Sequence, residues 1–266
     1  MKLVRREIVL GVLIGFLFTA EIFGQDKPDT EIGKTAAVKP LRIIPNNAFS
    51  VGEQLYFDIH WEIAHVGNAT LSVARKSTYN GSEVYEIESR AQSNKVISSI
   101  YKVDDRVNSL IDVNGIYSHR LEKHLSEGNY RADRLFLFDQ ENNIAIAHRD
   151  SFVVPEFTQD VLSAFYYVRT QKLEIGQTIE VPHFDNGKIY NLLITILRKQ
   201  RIRVPAGTFN CWVIEPKLEG EGLFKHQGRI TIYLTADERK IPVLLVSKVI
   251  FGEVAAKLTK IEGVSF

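Results

Sequence analysis

One short segment of the sequence carries most of the side chains that could bind a polar ligand. Asp160 and Ser163 are three residues apart, and so they would adjoin on the surface of a helix. Tyr166 and Arg169 have the same spacing. The planar guanidinium of Arg169 suits a phosphate or carboxylate, and Phe165 would add apolar surface. The pattern predicts a ligand-binding patch at the mouth of a cavity. The alternative is a docked helix in which Arg169 pairs with an acidic side chain.

A second group of cations lies on a predicted strand. Lys199, Arg201 and Arg203 alternate along one extended segment and therefore share one face. Three cations on a face could bind anionic headgroups or lipopolysaccharide. A charged strand edge that deters pairing with other chains explains them as well, and both interpretations stay open.

Signals of catalysis are weak throughout. The seven histidines form no spacing typical of a metal site, and the placement of His183 and Asp185 on one strand face is common by chance. Ser163 has no flanking glycines and lies inside the predicted helix, unlike the serine of a nucleophile elbow. Cys211, the single cysteine, is predicted to be a buried structural thiol. The sequence therefore predicts a non-enzymatic protein without a metal ion or cofactor.

The composition of the 266-residue chain is that of an ordered globular protein, with 45% hydrophobic and 24% charged residues. Its 33 Lys and Arg residues almost balance 32 Asp and Glu residues. Nucleic-acid binding requires a net basic surface, and this balance argues against it.

The N-terminal segment is typical of an export signal. Three cationic residues precede the apolar run from Ile8 to Ala20, which is too short to span a bilayer. We predict a signal peptide over residues 1–24, with Gly24 or Ala20 before the cleavage site. The alternative is an uncleaved anchor, in which Glu21 would lie in hydrocarbon.

Residues 25–47 contain three prolines and no regular period, which predicts a flexible leader before one domain over residues 48–266. No cysteine lies near residue 24, so we expect no lipid anchor at the mature N-terminus. The predicted location is therefore periplasmic, with peripheral contact to a membrane.

Patterns of period two follow one another from residue 49 onward, separated by hairpin-length gaps that include Asn80-Gly81 and Asn114-Gly115. They predict about a dozen antiparallel strands in a single mainly β domain. The predicted strands cover residues 55–63, 68–77, 84–87, 101–113, 116–125, 130–138, 144–148, 178–184, 188–199, 208–215, 229–235, 243–251 and 255–261.

A single helix interrupts the strands. Thr158 is a suitable N-cap, and Val161, Leu162, Phe165 and Val168 follow helical spacing. The helix should span about 12 residues, and a shorter helical turn is predicted near residues 96–100.

Several strands are apolar on both faces. In the segment 188–199, Leu192 and Ile194 line one face, while Ile189, Leu193 and Leu197 line the other. Antiparallel sheets normally expose one face to water, and one short helix cannot cover the surplus. We therefore predict a large, curled, half-open β-barrel with the helix packed at or in its opening. The alternative is a well-filled sandwich.

The order of several motifs resembles the domain-of-unknown-function family 3108, a group of exported bacterial proteins. The motifs are FSVGEQL at 49–55, Gly67, DVLSAFYYVR at 160–169, LEIGQ at 173–177, VPAGTF at 204–209 and KIPV at 240–243. The resemblance implies no established activity. It implies a fold similar to the half-open barrels of the lipoprotein carriers LolA and LolB, which hold acyl chains under several lid helices, where this chain has one.

Export and doubly apolar strands together predict a periplasmic binding or carrier protein for a lipid or other apolar ligand of the cell envelope. Arg169, or Arg201 and Arg203, would orient a headgroup, and burial of the apolar part would supply affinity. The alternative is an envelope scaffold or assembly factor that acts through protein–protein contacts.

Overall fold

The computed structural model describes residues 41–219, 229–249 and 252–264. The predicted signal peptide and residues 25–40 of the predicted leader lie outside the described residues. Residues 41–47 are described, and they contact the domain: the Arg42 Nε donates to the Gly115 carbonyl at 2.6 Å, and its guanidinium lies 4.3 Å from the Phe157 ring centroid. The end of the predicted leader is therefore bound to the domain.

The strands form one antiparallel sheet of 14 strands that is not closed, as predicted. Its order is β8-β7-β6-β5-β4-β3-β2-β1-β14-β13-β12-β11-β10-β9, so the first and last strands of the chain pair at its centre. The strands are β1 (Gln54–Trp61), β2 (Ala64–Tyr79), β3 (Ser82–Ser93), β4 (Asp104–Asp112), β5 (Ser118–Glu127), β6 (Tyr130–Asp139), β7 (Ile144–Ala147), β8 (Asp150–Val153), β9 (Thr178–Asp185), β10 (Lys188–Val204), β11 (Gly207–Glu219), β12 (Ile230–Thr235), β13 (Pro242–Val249) and β14 (Gly252–Glu262).

The sheet curls so far that edge strand β9 packs against the inner face of strands β5, β6 and β8. The Phe184 ring of β9 lies 6.2 Å from the Phe136 ring of β6 and 5.3 Å from the Phe152 ring of β8. The Lys123 Nζ of β5 lies 2.6 Å from an Asp185 oxygen of β9. Because β5 and β9 are far apart in the sheet order, these contacts require the curl.

Alternation of apolar and polar residues places one face of each strand in the core. In β1, Leu55, Phe57 and Ile59 are at most 2% exposed, and the residues between them are less buried. Strand β10 departs from the prediction that both apolar faces are covered. Its outer Ile189 is 46% exposed and its outer Leu193 is half-buried.

Antiparallel pairing gathers the strand connections at two ends of the barrel. We call one end the rim; its described connections are residues 62–63, 94–103 and 128–129. The turns at 148–149 and 186–187 lie nearer the base, since Ala147 pairs with Phe136 and the Phe184 N–H donates to the Gln159 carbonyl. We call the other end the base; it comprises residues 41–53, 80–81, 113–117, 140–143, 205–206 and 236–241.

Two helices are present among the described residues: α1 (Lys95–Ser98), at the predicted short turn, and α2 (Val161–Thr170). The N-cap of α2 is Asp160, so the prediction of Thr158 was wrong. The Asp160 carboxylate accepts the N–H groups of Leu162 at 2.7 Å and Ser163 at 2.9 Å, and the Ser163 hydroxyl accepts the Asp160 N–H. The Thr158 hydroxyl instead donates to the Pro155 carbonyl, before the chain bridges β9 at Gln159.

The first end of α2 is anchored in the base through Asp160. This carboxylate is fully buried and accepts hydrogen bonds from the hydroxyls of Ser109, at 2.6 Å, and Ser118. Burial raises the pKa of Asp160, while these hydroxyls act in the opposite direction. Four donors therefore compensate a carboxyl group that water cannot reach.

The second end of α2 is anchored through Arg169. Its Nη1 and Nη2 bind the two Glu53 carboxylate oxygens at 2.7 and 2.8 Å, and it also donates to the carbonyls of Ala48 and Arg239. The Arg169 and Glu53 side chains are 0% and 1% exposed. This arrangement ties α2 to the start of β1 and to the β12–β13 connection.

Between its anchors, α2 separates two hydrophobic cores. Val161, Leu162 and Tyr166 belong to the larger core, which draws on strands from both halves of the chain, whereas Ala164 and Val168 belong to a second core built mainly from β9–β12. The β10–β11 turn also packs at the base, because the Ala206 N–H donates to the Leu258 carbonyl of β14. The side chains of α2 and this turn therefore fill the base.

We expect Glu53→Gln to lower the free energy of unfolding by about 3–5 kcal/mol, because it leaves the Arg169 charge buried without its counter-ion. Arg169→Met should cost a similar amount, and the double variant less than the sum of the two. Urea unfolding measures all three. The exposed pair of Arg75 and Glu86 provides the control, since Arg75→Ala should change stability by less than about 1 kcal/mol. Additive effects at Glu53 and Arg169 would contradict this account.

Candidate binding site

The polar residues of the predicted ligand patch face the protein interior. Asp160, Ser163 and Arg169 are each 0% exposed. The structure brings Asp160 and Ser163 together in the helix cap and places Arg169 against Glu53 at the far end of α2. These are the contacts that the docked-helix alternative predicts. A ligand that binds Arg169 would have to displace Glu53.

The two aromatic residues of the predicted patch differ in their surroundings. Tyr166 is 0% exposed, and its ring centroid lies 4.6 Å from that of Phe49. Burial raises the pKa of Tyr166, which keeps the phenol neutral. Phe165 is half-buried and packs against both cores. Of the two, Phe165 retains surface that a ligand could reach.

The predicted cationic face lies elsewhere. Arg201 and Arg203 are exposed on β10, while Ile202 and Val204 between and beside them point into the core. Lys199 lies with its Nζ 4.0 Å from the Trp212 ring centroid. These cations are therefore on the outer face of the sheet, and the structure does not bring them together with the residues of α2.

The rim carries a feature that the sequence patterns did not single out. Four large apolar side chains are exposed on its connections and the strand residues beside them: Trp61 (38%), Ile63 (97%), Val96 (72%) and Ile100 (84%). Leu41, Ile43 and Val51 are exposed at the base. Monomeric proteins normally scatter such residues singly. An apolar residue at a hairpin tip, where turn chemistry favours polar residues, is the signal that could have found Ile63.

Hydrogen bonds hold α1 beside the β1–β2 hairpin. The Asn94 N–H donates to the Val66 carbonyl at 2.9 Å, and the Asn94 side-chain amide donates to the His65 carbonyl at 2.7 Å. The same side chain caps α1 by accepting the Ile97 N–H. Two rim connections with exposed apolar residues are thereby held next to each other.

A pair of carboxyl groups lies just inside the rim. Glu127, at the end of β5, is 3% exposed and bridges Val103, while the Asp105 carboxylate accepts the Ser126 N–H at 2.8 Å. Burial, and then the negative charge of Asp105, raises the pKa of Glu127 to about 8. At neutral pH Glu127 therefore holds the proton that it donates to Asp105.

The His183 and Asp185 pair noted in the sequence is buried in the interior. Asp185 binds Lys123, and burial followed by the Lys123 charge lowers the pKa of His183 to about 3. His183 is therefore neutral, and its ring stacks with that of Tyr190 at 6.3 Å. The ion pair of Lys123 and Asp185 joins β5 to β9 across the curl.

Other chemistry-bearing groups are few in the part of the chain that the structure describes. Cys211 is buried, as predicted, and burial raises the pKa of its thiol to about 11. Within the described ranges, no three His, Cys, Asp or Glu side chains are grouped to hold a metal ion. Neither described helix is long and apolar enough to cross a bilayer.

Glu127 should make stability depend on pH. Folding raises its pKa from the ordinary 4.5 to about 8, so its contribution is complete below pH 4.5 and is lost as the pH rises through 8. We expect Glu127→Gln, which keeps a donor for Asp105, to be more stable than the wild type by about 2–4 kcal/mol at pH 9 and similar to it at pH 4. Urea unfolding across this range measures the difference, and a difference independent of pH would contradict the assignment.

One comparison with a solved structure supports the fold. The chain is similar to a solved beta-barrel-like protein of domain of unknown function DUF1849 from Brucella abortus, at 11% identity and a TM-score of 0.55, over 84% of this chain and 98% of that one. It is also similar to a DUF1089 family protein from Pseudomonas aeruginosa, at 10% identity and a TM-score of 0.40, over 69% of this chain and 90% of that one. No curated protein matches the chain.

The family comparison agrees with the resemblance seen in the sequence motifs. The model of the family described as "Protein of unknown function (DUF3108)" matches residues 56–259. This match extends from β1 to β14 and includes α2, so the chain belongs to the DUF3108 family.

Proposed function

We propose that this protein is a non-enzymatic periplasmic binding protein that carries a lipid or another apolar ligand of the cell envelope. The acyl chain or other apolar part enters between the strands from the rim. The observation that carries the proposal is a taper of the inner wall. The side chains of β2 and β3 that face the interior become smaller from the base to the rim.

On strand β2 the buried inner residues are larger toward the base, where Val73 and Leu71 lie, than toward the rim, where Ala69 lies. Gly67, beyond Ala69, leaves room for the Gln92 carbonyl of β3. Strand β3 repeats the taper with Tyr85, Ile87, Ser89 and Ala91. Small side chains on neighbouring strands widen the space between the walls of a curled sheet. We infer that the interior is widest toward the rim and that a ligand would enter there, because α2 and the residues around it fill the base.

These small residues are nearly covered in the present conformation, with Ala91 at 6% and Ser89 at 3% exposure. Ligand entry therefore requires the side chains above them to move aside. Each CH₂ group that the ligand then buries contributes roughly 0.8 kcal/mol to affinity. The predicted signal peptide supports the periplasmic location, and the scaffold alternative stays a prediction from the sequence.

A larger side chain on the tapered wall should weaken ligand binding. We expect Ala91→Leu to reduce the affinity for a fluorescent fatty acid about tenfold, because it takes the space of roughly two CH₂ groups. Fluorescence titration of delipidated protein measures the affinity, and thermal melting verifies that the variant folds.

The matched control is Glu88→Leu on the same strand, because Glu88 is exposed on the outer face. It introduces the same side chain without narrowing the interior and should bind the probe as the wild type does. Native mass spectrometry of protein purified from a membrane extract of its host provides a second readout. A wild-type protein that carries no lipid and rejects the fatty-acid probe would overturn the proposal.

A further inference from the structure

We propose that the rim docks onto an anionic lipid bilayer. Ile63, Val96 and Ile100 would enter the interfacial region, while Lys95 and Lys102 would lie against lipid phosphates. The inference rests on the proposed function, since it locates the step in which the ligand passes between the protein and a membrane. It depends on different residues from those of the tapered wall.

The first support is the exposure of aliphatic side chains. Ile63 is 97% exposed, Ile100 is 84% exposed and Val96 is 72% exposed. Ile63 is at the tip of the β1–β2 hairpin, and the other two lie on α1 and just after it. The hydrogen bonds of Asn94 hold these two connections together, so the three side chains form one apolar projection of the rim.

The second support is that local hydrogen bonds fix this projection. The Ser93 and Ser98 hydroxyls lie 2.7 Å apart, and the Tyr101 N–H donates to the Ile97 carbonyl at 2.7 Å. The segment that carries Val96 and Ile100 is therefore ordered by its own polar contacts. This ordered segment leaves both apolar side chains exposed to solvent.

The third support is the charge that surrounds the apolar residues. Lys95 and Lys102 flank the projection and are exposed, and neither is in an ion pair with another described residue. Of the nearby acidic groups, Asp104 is neutralised by Arg90 at 3.0 Å, whereas Glu62 accepts the Glu253 N–H at 2.8 Å and keeps its charge. Exposed lysines beside aliphatic residues complement an anionic lipid surface.

The composition of the projection favours a bilayer over a protein partner. Protein interfaces concentrate their binding energy in Trp, Tyr and Arg side chains set in well-packed pockets. Here the three most exposed side chains of the rim are aliphatic, and they come from two connections that lie side by side. Such side chains can each enter a fluid lipid interface without a complementary surface.

Flotation of the purified full chain with vesicles tests the proposal. We expect binding to vesicles of phosphatidylglycerol and phosphatidylethanolamine, and at least tenfold weaker binding to vesicles of phosphatidylcholine. Ile63→Ser/Ile100→Ser should lose binding to the anionic vesicles by tenfold or more. Lys95→Glu/Lys102→Glu should lose most of the dependence of binding on salt concentration.

The matched control is Val153→Ser/Ile175→Ser, which removes two apolar side chains of comparable exposure, 81% and 61%, outside the rim. It should bind as the wild type does. Equal losses in this control and in the rim variant would overturn the docking surface, as would a wild type that binds no anionic vesicle or binds only a protein partner.

Fatty-acid titration separates this proposal from the proposed function. The Ile63→Ser/Ile100→Ser variant should still bind the probe in solution, because the tapered wall is unchanged. Probe binding without any vesicle binding by the wild type would overturn docking alone. Vesicle binding by a wild type that rejects the probe would support docking and overturn ligand carriage.

Discussion

The seating of α2 across the base depends on the buried ion pair of Arg169 and Glu53. Two charges removed from water lose a large solvation free energy, which their attraction offsets only with excellent geometry and further hydrogen bonds. Both conditions hold here, because the guanidinium binds both Glu53 oxygens and two backbone carbonyls as well. Apolar burial is non-directional and would permit several rotations of the helix. The ion pair at one end and Asp160 with its serine hydroxyls at the other restrict α2 to one.

The fixed orientation of α2 also positions the two edges of the sheet, because α2 lies in the segment that connects edge strand β8 to edge strand β9. The chain leaves edge strand β8, crosses the base as α2 and returns as edge strand β9. The segment before the helix bridges β9 at Gln159 and His183, and Phe184 packs against the rings of β6 and β8. In this open sheet of 14 strands, edge strand β9 is thus covered by side chains on the inner face of β6 and β8. This limits the pairing with other chains that an exposed edge invites.

Local patterns in the sequence determined the parts of the fold that depend on local physics. Period two located the strands, and helical spacing located α2. The four residues of β8 are too few to show a period, and the cap was placed at Thr158 because sequence alone does not show that Gln159 joins β9. The partner of Arg169 could not be predicted, since Glu53 is 116 residues away. The rim was missed for a similar reason: the connections that carry Ile63 and Ile100 are brought to the same end only when β2 and β3 pair.

The two ends of the barrel differ in how tightly they are packed, because α2 is anchored at the base and the inner side chains of β3 are smaller toward the rim. Tyr85 and Ile87 of β3 lie toward the end where α2 is fixed at both termini, and the smaller Ser89 and Ala91 lie toward the other end. Opening the base would expose Arg169, Glu53 and Asp160 together, each of which depends on partners from several elements. The rim has its own buried polar groups, since burial raises the pKa values of both Glu127 and Asp105, but these lie beside α1 and away from the anchors of α2. The proposed entry of a ligand at the rim would leave the buried partners of Arg169, Glu53 and Asp160 in place, whereas entry at the base would displace them.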